Sequence, residues 1–173
     1  MLKSKLQLFG ETVKGSKLVY LFRILDQADT VAGAALAFTT ENSRSVSKDA
    51  DSTATKDGAI RTPGEAEIEI SVTCLLKKGD TFISELEEAM KADKLIEIWE
   101  ANLDDPGTES NKFKGTYYQA YLTSLELSSS AEDFTEVSLD FACNGNGASG
   151  EVTVTTEQQE AAAYVFRDST IGG

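Results

Sequence analysis

The stretch Glu65-Ala66-Glu67-Ile68-Glu69-Ile70-Ser71-Val72-Thr73-Cys74 alternates polar and apolar residues almost without a fault. A β-strand sends successive side chains to opposite faces. Ala66, Ile68, Ile70, Val72 and Cys74 therefore share one face, and Glu65, Glu67, Glu69, Ser71 and Thr73 share the other. The reading is a half-buried strand with one greasy face and one carboxylate face. Phe134 to Cys143 repeats the pattern, with Val137, Leu139, Phe141 and Cys143 opposed to Glu136, Ser138 and Asp140.

Upstream lies a polar run, Ser47-Lys48-Asp49-Ala50-Asp51-Ser52-Thr53-Ala54-Thr55-Lys56-Asp57-Gly58, without an apolar anchor. Residues 47–64 read by composition as a long loop, closed by the turn signal Thr62-Pro63-Gly64. Such a segment has little reason to pack into its own core or to order alone. Loop and two-faced strand together suggest a piece that docks on a neighbour.

Working outward, Lys17 to Leu25 is dense in β-formers and reads as a strand. Leu36 to Glu41 is a second, with Ser43 to Lys48 as its continuation or partner. Asp80 to Lys91 is the clearest helix: Asp80 caps it, and Phe82, Ile83, Leu86, Ala89 and Met90 form an apolar stripe. Lys94 to Leu103 is a strand, and Lys112 to Leu127 is a longer one bending near Gly115. Asn144-Gly145-Asn146-Gly147 reads as a tight turn into residues 150–155, and a short helix follows from about Thr156 to Arg167. Residues 1–16 read as an extended arm and residues 168–173 as a loose tail of one domain spanning 1–173. The fold class is mainly β with helices: an antiparallel β-sandwich or barrel-like body, one packed α-helix and a short C-terminal helix.

Lys plus Arg number 16 against 29 Asp plus Glu, a net charge of −13. That surface repels nucleic-acid phosphate and argues against stable DNA wrapping, though not against passing DNA without holding it. The chain has no histidine, which removes the commonest general base and transition-metal ligand. Serine, cysteine and lysine nucleophiles find no histidine partner, so an enzyme is the weakest class. The residues favour buried free thiols at Cys74 and Cys143 over a disulfide. No run approaches the length of a membrane span or a signal-peptide core.

Asp49, Asp51, Thr53, Thr55 and Asp57 imitate a calcium loop, but Ala54 stands where the glycine belongs and Ile60 where the bidentate Glu belongs. No metal or other cofactor is expected. Glu65, Glu67 and Glu69 read as a solvated row, since paired acid–base carboxylates need differing environments. Trp99, Tyr117, Tyr118 and Tyr121 lack the basic surroundings of a base-stacking platform and read as core or interface packing.

Asp49 to Gly58, Ala37-Phe38-Thr39-Thr40-Glu41, Lys94 to Glu100, Lys112 to Tyr121, and Thr156 to Asp168 occur in an order that resembles the major tail tube proteins of Gram-positive siphophages, the TP901-1-like major tail protein family. The resemblance covers nearly the whole chain. It implies sixfold rings whose inner strands join into one continuous β-barrel, stacked into a tube that conducts DNA. The implied partners are further copies of the chain, the tape-measure protein within the bore, and the tail terminator and distal tail or initiator proteins. It places Ser47, Asp49, Asp51, Thr53, Thr55, Lys56 and Asp57 at the contact between rings. Glu65, Glu67, Glu69, Glu136 and Asp140 are the expected lumen-facing acids, on the strength of their alternation. The rival readings are a ligand-binding β-sandwich and a related ring-forming baseplate or secretion-tube component.

Overall fold

The computed structural model describes residue 12 and residues 14–163. The expected N-terminal arm falls almost wholly outside that range, as do the C-terminal tail and the end of the last helix with Tyr164 and Val165.

Among the described residues, six antiparallel strands form one sheet. They are β1 (Leu18–Ile24), β2 (Thr39–Thr55), β3 (Gly58–Leu75), β4 (Ile96–Pro106), β5 (Lys112–Ser128) and β6 (Glu136–Thr153), with helices α1 (Phe82–Lys91) and α2 (Thr156–Ala163). The order across the sheet is β1-β4-β5-β6-β3-β2. The sheet curls strongly. Phe22 on β1 stacks on Phe141 of β6 with centroids 5.3 Å apart, although β4 and β5 lie between those strands. Arg44 on β2 reaches Glu100 on β4 at 2.8 Å, where four strand intervals laid flat would span about 19 Å.

The alternation seen in sequence sets the core. Ile68, Ile70, Val72 and Cys74 of β3 line the concave face with Val137, Leu139 and Phe141 of β6, all buried. Ile96 and Ile98 of β4 and Ala120 and Leu122 of β5 complete it. Helix α1 adds its expected stripe, burying Ile83, Leu86 and Ala89, with Phe82 and Met90 packed alongside. Its first turn is capped as the sequence suggests, because the Phe82 N–H donates to Asp80 Oδ1 at 2.9 Å. Helix α2 opens on a capping box, in which the Thr155 N–H donates to Gln158 Oε1 and the Gln158 N–H to Thr155 Oγ1.

Three expectations from composition give way to backbone pairing. Residues 47–64 are not a loop. They are the outer part of a β2–β3 hairpin whose ladder continues past one bulge to Thr55↔Gly58, with Lys56 and Asp57 at the tip. Main-chain pairing needs no apolar side chain, and Asp57-Gly58 between strands is itself a hairpin signal. The Thr62-Pro63-Gly64 turn is instead a bulge: Pro63 sits opposite Ala50, beside a register shift between Lys48 and Ala50. Asn144 to Gly147 does not reverse the chain either. β6 continues through it, bulging between Gln119↔Asn144 and Tyr117↔Ala148. Gly147, at φ 74, lies where a Cβ would come within 2.6 Å of the Tyr118 ring, so the strand crosses that ring only with glycine there. In β5 the pairing with β6 shifts around Tyr118 and Thr123, and the pairing with β4 shifts between Gly115 and Phe113.

Both cysteines are free. Cys143 sits opposite Ile68 and Cys74 opposite Val137, six residues farther along β3 (74 − 68). That is about 20 Å along a strand, far beyond disulfide reach. Burial pushes both thiols up, Cys74 with help from Asp80, and Cys143 to about 11 against the opposing pull of Arg44. Iodoacetamide at pH 8 should therefore label neither in the native protein and both in urea. Native labelling of Cys143 should appear only as the pH approaches about 11. Rapid native labelling at pH 8 would contradict this packing.

Candidate functional site

The convex face of the sheet is divided. Over β1 and β4 it is covered: Val19, Leu21 and Ala101 cluster with Val152 and Val154, and Trp99 packs against them. The segment after β1 closes over this part. Arg23 Nη1 donates to the Val31 carbonyl at 3.1 Å, its guanidinium lies 4.9 Å from the Trp99 ring centroid, and Gln158 donates to the Gly33 carbonyl. Beneath it Glu97, 6% exposed, accepts from Arg23 Nε at 2.5 Å and from the Tyr117 hydroxyl at 2.8 Å. The buried carboxylate is thus paired and hydrogen-bonded, as its desolvation requires.

Over residues 121–128 of β5 and 136–142 of β6, and over β3 and β2, the convex face is bare. The register places Glu67, Glu69, Ser71 and Thr73 of β3 beside Ser47, Ser45, Ser43 and Glu41 of β2. Asp140, Ser138 and Glu136 of β6 follow, flanked by Ser124, Glu126 and Ser128 of β5. Ser71 Oγ donates to Asp140 Oδ1 at 2.6 Å, which fixes those two strands' polar rows to one side. Glu65, Glu67, Glu69 and Glu136 are exposed and Asp140 half-buried. Of the five acids singled out from sequence, the register puts Glu67, Glu69, Glu136 and Asp140 on one face, while Glu65 falls in the bulge between Pro63 and Ala66, outside the paired register. Alternation extends the row to Glu41 and Glu126, which sequence reasoning passed over because their strands bulge nearby. No Lys or Arg interrupts these rows.

The hairpin tip is a separate surface. β6 pairs with β3 only from Ile68 to Leu75, so residues 49–64 project as a two-stranded ribbon with no third strand. From Ile68 to Gly58 that reach is about 33 Å. Asp49, Asp51, Thr53, Thr55, Lys56 and Asp57 are all exposed on it, as is Ser47 at its root. Thr55 Oγ1 donates to the Gly58 carbonyl at 2.6 Å and tightens the turn. Alternate residues along a strand lie about 7 Å apart. Asp51, Thr53 and Thr55 are therefore strung out along the ribbon rather than gathered around a point.

Among the described residues several strand edges lie open, and two of them flank the bare face. β2 pairs with β3 alone. Residues 121–128 of β5 pair with β6, while the β4–β5 ladder ends at Ala120. At the root of the hairpin, Arg44 Nε and the Tyr20 hydroxyl both donate to Glu100 Oε2, tying β2 and β1 to β4 across the concave face. Nothing in the sequence signals this latch, since its members lie far apart in the chain.

The sequence profile described as phage tail tube protein matches residues 12–148. A putative tail protein of Staphylococcus phage phiMR25 is 31% identical over 157 residues, covering 88% of this chain and 80% of that protein. The tail tube protein of Bacillus phage SPP1 is 29% identical over 146 residues, or 84% of this chain, which spans 54% of that relative's length. The solved SPP1 tail tube has the same fold, with a TM-score of 0.71 at 22% identity, covering 94% of this chain and 93% of that one. The tail of a gene transfer agent particle also superposes, with a TM-score of 0.59 at 16% identity, over 78% of this chain and 96% of that one.

The latch makes a pH prediction. Burial first, then the bond to Glu100 and its charge, raise the Tyr20 phenol well above its usual range. A raised native pKa gives stability that is whole below the unfolded value, about 10, and is lost as pH rises through the native one. The Tyr20→Phe variant should lose about 1.5–3 kcal/mol at pH 7 and show a shallower fall in urea stability above pH 10. An unchanged alkaline slope would show that Tyr20 does not titrate with unfolding.

Proposed function

The chain belongs to the phage tail tube protein family, and from that premise we propose that it forms sixfold rings stacked into a tube whose acidic bore conducts DNA. As a tail tube protein it is a component of the virion tail. The observation that carries the ring is the pair of open edges flanking the bare face, β2 on one side and residues 121–128 of β5 on the other. Pairing residues 121–128 of β5 of one copy with the matching length of β2 of the next satisfies the open backbone groups on both strands. Repeated around a closed ring, it leaves no copy with these two edges exposed beside the bare face. The sixfold count is supported by the gene transfer agent tail of like fold, whose refinement used C6 symmetry.

Ring closure by these edges puts the bare faces of β5, β6, β3 and β2 on one continuous wall. We assign that wall to the lumen, with Glu65, Glu67, Glu69, Glu136 and Asp140 joined by Glu41 and Glu126. Carboxylates opposed to phosphates repel within a Debye length, about 8 Å at physiological salt, so passing DNA is held off the wall. Before ejection the same bore would hold a tape-measure protein. Tube ends call for a terminator at one end and a distal tail or initiator complex at the other, and tube-terminating proteins of like fold exist in contractile injection systems. The exposed Glu88 and half-buried Glu87 of α1 would lie on the tube exterior.

Negative-stain electron microscopy of the concentrated protein, alone and seeded with its tail-tip complex, tests the reading. Hollow tubes of stacked rings are expected; monomers under both conditions would overturn it. Replacing residues 50–63 by a two-residue turn should leave a cooperatively folded subunit that forms rings without extending tubes. Wild-type tube growth from that variant would sink the assignment of the hairpin to the ring-to-ring contact. Neutralising the wall with Glu67→Gln, Glu69→Gln and Asp140→Asn should leave tube length unchanged and make DNA adhere within tubes at low salt. Equal retention in both tubes would remove the acidic wall from the mechanism.

A further inference from the structure

At the end of the sheet opposite the hairpin tip, three large apolar side chains sit side by side in solvent. Phe38 is 64% exposed, Leu76 38% and Phe134 80%. The backbone brings them together: the Leu75 N–H donates to the Phe38 carbonyl, and the Leu76 N–H donates to the Thr135 carbonyl at 2.9 Å. Phe38 is held at φ 52, in the left-handed region. That conformation is strained for a bulky residue and is found where structure serves a contact.

We infer that this patch seats the hairpin tip of a second copy of this chain in the adjacent ring, with Ile60 as the apolar contact. The inference rests on the tail tube reading and says where the hairpin lands. Tip and patch lie at the two ends of β3, Gly58 and Leu75, about 56 Å apart in an extended strand. A head-to-tail contact that repeats without closing joins two different surfaces of the same molecule, and opposite ends of one strand supply them. Ile60 is 60% exposed on the ribbon. A two-stranded ribbon alone is marginally stable in water, so it gains from an apolar seat.

Charge agrees. In a chain of net −13, the ribbon sets Lys56 and Arg61 near its tip against Asp49, Asp51 and Asp57, a net charge of only −1. It is therefore a part of the surface that another copy repels least. Lys77 and Lys78, exposed directly after Leu76, stand where Asp57 would arrive.

The test uses tubes of the full chain. Phe38→Ser with Phe134→Ser removes only exposed rings, so the subunit should keep its thermal midpoint and still form rings. Its critical concentration for tube growth should rise roughly tenfold or more, as loss of a buried aromatic anchor gives. Independently, Ile60→Cys with Phe134→Cys should give a ladder of disulfide-linked multimers on oxidation of assembled tubes, and neither single variant should. Normal tube growth by the serine variant, or tubes of the cysteine variant without a ladder, overturns this inference while leaving the tail tube reading intact. Failure of the unmodified chain to form tubes, alone or seeded, overturns both.

Discussion

Backbone N–H and C=O groups must be paired somewhere, and among the described residues this sheet leaves rows of them open on both sides of its bare face. The choice of rows is informative. β1 is the last strand on its side, yet the chain covers its edge itself, with Phe22 and Ala34 exchanging both main-chain hydrogen bonds at 2.8 and 3.0 Å. No such cover exists among the described residues for β2 or for residues 121–128 of β5. Soluble monomers blunt such edges with short strands, prolines or inward charges. Here β2 runs for 17 residues without proline. On the proposed reading, edges left open beside the bare face direct pairing toward further copies of the chain.

The same strands decide which face meets solvent. Apolar residues at every second position fill the concave side, and curvature closes that side around Phe22, Phe141 and the stripe of α1. The convex side must then carry whatever is left, and on β5, β6, β3 and β2 that is serine, threonine and carboxylate. Glu100 couples the two halves of the design. By accepting from Arg44 and Tyr20 together it holds β2 against β4. The root of the projecting hairpin is thus anchored where the curl is tightest. Arg44 is partly exposed, so the latch contributes direction to the hairpin more than stability to the core.

What the sequence made legible follows from which forces leave a local trace. The alternation at 65–74 and 136–143 fixed the faces of β3 and β6, and the periodic stripe fixed α1, because burial acts residue by residue along the chain. Glu67, Glu69, Glu136 and Asp140 fall on one face for the same reason, whereas Glu65 sits in the bulge that the alternation did not reveal. The hairpin was misread because its stability is carried by main-chain pairing, which polar residues such as Asp51, Ser52 and Thr53 satisfy as well as valines would. The bulge at residues 145–147 was misread because Gly and Asn mark positive φ without saying whether the chain reverses or merely steps over a ring, here Tyr118. Contacts between distant residues, such as Arg44 with Glu100 or Arg23 with Glu97, leave no local pattern at all. Nor does the apolar end patch, whose Phe38 and Phe134 gather only when the strands between them pair.

On the proposed reading, a net charge of −13 on every copy sets attraction against long-range repulsion. Repulsion is screened within about 8 Å, so association is left to short-range pairing and apolar contact. The ribbon at 49–64 has only two strands, and ordering a residue costs about 1–2 kcal/mol of conformational entropy. The first contact a ribbon makes must meet that cost alone. Once one ring has fixed its ribbons, the next subunits meet surfaces already ordered and gain edge pairing and apolar seating together. The first ring is therefore the slow step and each later ring a fast one. A polymer with that imbalance grows from a template rather than spontaneously, and its length is then set by whatever fills the bore and by the protein that stops the end.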